Sequence, residues 1–113
     1  MSALEKDLKL LKEKLPLWQE NYIEKVIEGY KKLLNSDENA SNKFWQLNDL
    51  IKKDKKNPGV LITDLRRSNM DLVIESLIIN KVINIDDLND FSLELQKTIK
   101  LYLSSFKIWK KED

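Results

Sequence analysis

The sequence predicts an all-α protein, a compact bundle of roughly four to six helices in one domain spanning residues 1–113, and three observations carry that prediction. The 113 residues include only two glycines and two prolines, whereas an all-β chain needs turn residues every ~8–12 positions. Apolar residues recur at spacings of three and four near both ends of the chain, as amphipathic helices require. No repeat, low-complexity segment or Gly/Ser linker divides the sequence, and a chain of this length can bury somewhat over ~60% of its unfolded surface without disulfides or metals.

The first element opens at Ser2, which forms an S-x-x-E capping box with Glu5. Behind it Leu4, Leu8, Leu11, Leu15, Trp18 and Tyr22 make a seam. Pro16 interrupts that seam; proline removes an internal hydrogen bond and clashes with the preceding turn, so a kink or a restart is expected there. The stripe then continues through Ile23, Ile27, Tyr30 and Leu34. Residues 35–41, NSDENAS, are short polar side chains that bond their own backbone and form a loop. A second helix is expected from Ser41 to Lys56, with Phe44, Leu47, Leu50 and Ile51 on its buried face, ended by Asn57-Pro58-Gly59.

The stretch PGVLITDLRRS reads as a short helix with Asn57 as N-cap and Pro58 at the first helical position. VLIT also fits a strand, so an α+β variant with a short strand or hairpin within 60–85 stays open. From Ser68 or Asn69 the run MDLVIESLIINKVI is apolar nearly all round, with Asp71 and Glu75 marking a narrow wet stripe; it is expected to be the central helix, Met70 to Ile83. Asn84 followed by Ile85-Asp86-Asp87 reads as the N-cap and acidic first turn of a last helix. Along it Phe91, Leu95, Ile99, Tyr102, Phe106 and Trp109 form one face, with lysines on the remainder. Two apolar terminal seams are best satisfied by packing together, within one molecule or between two, which leaves a homodimer through the terminal helices open.

Composition narrows function by exclusion. With 20 Lys+Arg against 19 Asp+Glu, the chain has no global field to hold nucleic acid or anionic lipid, so any basic site must be a local patch. With no cysteine and no histidine, disulfides, thiolate or imidazole metal sites, cysteine nucleophiles and the usual general base of hydrolases are all excluded. No phosphate-cradling glycine loop, nucleophile elbow, EF-hand or H-E-x-x-H motif occurs. The expectation is a protein that is no enzyme, takes no metal or cofactor, has no membrane span or secretory leader and works in the cytoplasm. Its richness in Lys, Asn and Ile suits an AT-rich bacterial gene.

The remaining candidates are surface residues. Lys52, Lys53 and Lys56 fall opposite the apolar face of the second helix, where lysines of a last turn complement the helix dipole. Trp45 projects on the same side, and an aromatic beside a basic stripe suits either packing within the chain, a protein contact, or single-stranded nucleic acid. Arg66 and Arg67 precede the predicted helix start at Ser68-Asn69, where they can close one helix or hold an anion. Asp86, Asp90 and Glu94, spaced by four, would share one helix face beside Asp87; first-turn acids on a wet face explain them, and an enzyme built on carboxylates is the remote alternative. The reading that follows is a small non-catalytic regulator or adaptor that binds a protein partner through Trp45, Lys52, Lys53, Lys56, Arg66 and Arg67. The alternative is a nucleic-acid-binding regulator using the same residues.

Overall fold

A computed structural model describes the backbone of residues 3–112 and the side chains of residues 4–105. Four α-helices follow one another, α1 (Ala3–Leu34), α2 (Ala40–Asp54), α3 (Met70–Ile79) and α4 (Leu93–Glu112), with one turn of 3-10 helix at Ile85–Leu88 between the last two. The fold is all-α, and no strand or hairpin forms among the described residues of 60–85. The expected cap at Ser2 and the side chains of Phe106 and Trp109 lie outside the described residues.

Pro16 neither ends α1 nor restarts it: the helix is assigned without a break over 32 residues. An internal proline costs about 3 kcal/mol. Leu11 is completely buried ahead of it, and Leu15 and Trp18 pack on the same core around it, so tertiary contacts on both sides outweigh the lost hydrogen bond. The core gathers Leu11 from α1, Met70, Ile74 and Leu77 from α3, Leu88 from the 3-10 turn, and Leu95 and Ile99 from α4. The first half of α1 thus shares a core with the start of α4, while α4 packs chiefly on α3. Asp7, a polar residue on the α1 seam, is buried and accepts two hydrogen bonds from Ser92, from its backbone N at 2.9 Å and its Oγ at 2.6 Å. Three turns further along α1, Trp18 stacks on Phe91 with centroids 6.4 Å apart.

The last helix starts eight residues later than Asn84 implied. Asn84 does cap a turn, accepting from Asp86 N at 3.0 Å while its own N donates to Asp87 at 2.8 Å, but that turn is 3-10 and stops at Leu88. The chain then bends through Asn89 and Asp90, which buries Phe91, and Ser92 begins α4 by accepting from Leu95 N at 3.2 Å. Between α2 and α3 the expected short helix is a single turn. Asn57 accepts from Gly59 N through its side chain at 2.8 Å and from Val60 and Leu61 N through its carbonyl, after which residues 61–66 are irregular. Asn69 holds the end of that segment by accepting from Arg66 N and donating to Asp64 O.

Helix α3 is shorter than its apolar run. It closes at Ile79 in a Schellman arrangement: Lys81 N donates to Ile78 O and Val82 N to Leu77 O, with Lys81 in the left-handed region at φ 62°. Its orientation also differs from expectation. Glu75 is only 5% exposed, whereas Leu72 is 64% exposed, so the acids do not mark the wet side. Glu75 has no hydrogen bond or ion pair with another described residue. Burial raises its pKa above the ordinary 4.5, and the negative charge of Asp71 one turn away raises it further. A carboxyl with a raised native pKa lends stability below the unfolded value and loses it as pH rises through the native value. Glu75→Gln is therefore expected to unfold at a higher temperature than the wild type at pH 7 and to lose that advantage at pH 4. Thermal melts at the two pH values test this; an equal difference at both would show that the carboxyl charge is not involved.

Candidate functional site

The second half of α1 and all of α2 form an antiparallel hairpin that departs from the core. The register is fixed by three contacts: Tyr30 Oη donates to Asp54 at 2.5 Å, Asn57 Nδ2 donates to Tyr22 Oη at 3.0 Å, and Gln19 Nε2 donates to Pro58 O at 3.0 Å. Partners later in the chain thus meet earlier positions of α1. Partial burial pushes the Tyr30 phenol up to about 12, helped by its bond to the Asp54 carboxylate and by that charge, so the clasp stays protonated through the physiological range.

Unlike α1, α3 and α4, helix α2 buries no residue. Asn39 caps it by accepting from Asn42 N at 2.8 Å, two residues ahead of the expected start at Ser41. Lys43, Leu47 and Asp54, spaced by four and seven, are half-buried and mark the side that meets α1. Phe44 was expected on that side but is 63% exposed, because the contact line runs one residue earlier and turns it to the flank. Trp45 lies nearly opposite α1 and is 62% exposed; its ring meets Phe44 edge-on at 5.0 Å. Ile27 and Leu34 on α1 and Leu50 and Ile51 on α2 are also exposed, so a two-helix arm carries apolar side chains that the described residues leave partly uncovered.

Lys52 and Lys53 on α2 and Lys56 just after it are exposed on the side of Trp45, as their spacing implied. The two arginines are elsewhere. Arg66 makes a fork with the Asp64 carboxylate, its Nε 3.1 Å from both oxygens, and Arg67 Nη1 lies 3.2 Å from Glu5. Glu5 is near the start of α1, while the lysines neighbour Asn57, which touches Tyr22; at 1.5 Å per residue those levels are about 25 Å apart along the helix. The six residues therefore do not form one patch: Trp45 and the three lysines share the arm, and Arg66 and Arg67 sit at the other end in surface ion pairs worth at most about 1 kcal/mol each.

The carboxylates are dispersed too. Asp86 is in the 3-10 turn, Asp90 pairs with Lys14 at 2.9 Å, and only Glu94 is on α4, so they share no helix face. Among the described residues no group of three or more acidic side chains is arranged to hold a metal ion, and no helix is long and apolar enough to cross a membrane. Asp7, Ser92 and Gly59, which hold the framework, were missed in the sequence; an acid inside an apolar seam is the one sign that could have marked Asp7. No protein-family model matches the chain, and no curated protein or solved structure matches it significantly.

Proposed function

We propose that this chain is a non-catalytic protein-binding regulator or adaptor that engages its partner with the α1–α2 arm. The observation that carries this reading is the exposed edge-to-face pair of Phe44 and Trp45 on a helix that buries none of its own residues. Tryptophan is the residue most enriched among interface anchors, and aromatic area left in water on a small protein is a cost that a partner can recover. Lys52, Lys53 and Lys56 follow on the Trp45 side two to three turns further along, and suit an acidic part of the same partner. A nucleic-acid reading has less support, since Arg66 and Arg67 are ion-paired and remote, and Asp49 interrupts the lysine side of α2.

Trp45→Ala is expected to leave the melting temperature within about 2 °C of the wild type, because little of the ring is packed, while capture of the partner falls at least ~10-fold. The experiment is affinity capture from lysate of the source cell, with and without nuclease, comparing the wild type with Trp45→Ala. A protein retained after nuclease and lost with the variant supports the reading. Capture that disappears on nuclease treatment, with affinity falling steeply as salt rises, would replace it with nucleic-acid binding.

A further inference from the structure

We infer that the occupant of the apolar flank of the arm is a second copy of this chain, which pairs two α1–α2 hairpins into a four-helix bundle. This rests on reading the arm as a protein-binding surface and assigns its apolar flank, though not Trp45, to that second copy. The geometry comes from helical rotation. At about 100° per residue, Ile23, Ile27 and Leu34 are all turned to one side of Val26 and Leu33, the half-buried residues that face α2. On α2, Phe44 and Ile51 are turned in the same rotational sense from Leu47, which faces α1. In an antiparallel pair of right-handed helices the same sense leads to the same side of the pair. Ile27, Leu34, Phe44 and Ile51, between 37% and 63% exposed, therefore make one continuous apolar face across both helices.

Two helices with one such face make a single layer, and a stable architecture needs a second layer against it. The surface accounting leaves room for one. A monomer of 13.4 kDa ordinarily exposes about 6,500 Å². This chain exposes 8194 Å² and has a radius of gyration of 17.0 Å, against about 13 Å for a compact domain of its length. The excess exceeds the ~800 Å² per partner that a stable interface buries.

Charge selects the copy and its orientation. Beyond the apolar strip the α1 edge carries Glu20 and Glu24 and the α2 edge carries Lys52 and Lys55, all exposed and none in an ion pair with another described residue. Because Gln19 and Tyr22 meet Pro58 and Asn57, these acids and lysines lie at similar heights along the arm. A two-fold axis parallel to the helices and lying in the face places α1 of one copy over α2 of the other without changing height. Glu20 and Glu24 then meet Lys52 and Lys55 of the second copy on both edges, the self-complementary pattern an isologous interface needs. Trp45 stays at the rim, open to a further partner.

The test is sedimentation equilibrium of the purified full chain from about 1 to 300 μM, with circular dichroism to confirm the helix content of each variant. The wild type is expected to sediment as a dimer in the micromolar range, and Phe44→Glu or Ile51→Glu to weaken dimerisation at least ~100-fold with helix content kept. Glu24→Lys should weaken it and Glu24→Lys with Lys52→Glu should restore it. A wild type that stays monomeric at 300 μM, or a dimer indifferent to Phe44→Glu, overturns the inference. A monomer would leave the arm free for a different protein, which the capture experiment tests separately.

Discussion

Asp7→Ala is expected to destabilise the protein by about 2–4 kcal/mol, lowering its melting temperature by roughly 10 °C, although Asp7 touches no ligand and lies far from the arm. The carboxylate is 4% exposed and accepts from both the backbone N and the Oγ of Ser92. Hydrogen bonds to a charged acceptor contribute about 1.5–3 kcal/mol each, and removing the acceptor also strands two donors in a half-buried place. The damage extends past those two bonds. Ser92 is the residue that opens α4, since its Oγ also accepts from Leu95 N, and the Asp7 charge sits at the positive end of that helix. Losing it loosens the joint through which α1 meets α4. Asp7→Asn, which keeps one acceptor and turns the other into a donor, should fall between the wild type and Asp7→Ala. Denaturant unfolding of the three proteins checks the order; an Asp7→Ala variant within 0.5 kcal/mol of the wild type would show that the bonds to Ser92 contribute little.

How far the sequence could be read depended on what each signal reports. Scarce glycine and proline and the terminal seams report local periodicity, and they led correctly to an all-α fold with Leu11, Leu95 and Ile99 inside it. Orientation is a tertiary property, and there the signals were thinner. In α3 nearly every position is apolar, so the run does not say which side faces water; two acids seemed to settle it, yet Glu75 went in and Leu72 stayed out. Helix boundaries failed where two starts competed. Asn84 and Ser92 are both good caps, and the need to bury Phe91 against Trp18 gave α4 to the second. Pro16 does not restart α1, because packing of Leu11, Leu15 and Trp18 on one core carries the helix past it. At the candidate site, rotation from Leu47 correctly put Trp45 with the lysines. It could not show that Arg66 and Arg67 lie some 25 Å of helix away, since that depends on how residues 57–69 cross from one end of α1 to the other.

Gly59→Ala is the sharpest test of that crossing, with an expected loss of about 3 kcal/mol. Gly59 is buried with no positive φ, so its role is space and not backbone freedom. A Cβ there would stand 2.5 Å from Tyr22 Cδ1, 2.7 Å from Tyr22 Cγ and 2.7 Å from Val82 Cγ2. Neither neighbour can swing aside cheaply. The contacts are to the ring base of Tyr22, whose Oη is held by Asn57, and to a β-branched side chain stiff at χ1. The strain would fall on the turn that anchors the end of α2 to α1, where Gln19 holds Pro58 and Asn57 holds Gly59. The arm would therefore loosen with the core, and the proposed dimer with the arm. Val82→Ala removes one of the clashing groups, so the double variant Gly59→Ala/Val82→Ala should lose less than the sum of the two single changes, by about 1 kcal/mol or more. Additive losses would mean that the turn moves as a unit away from α1, and that the close approach of Gly59 to Tyr22 is not what sets the register of the arm.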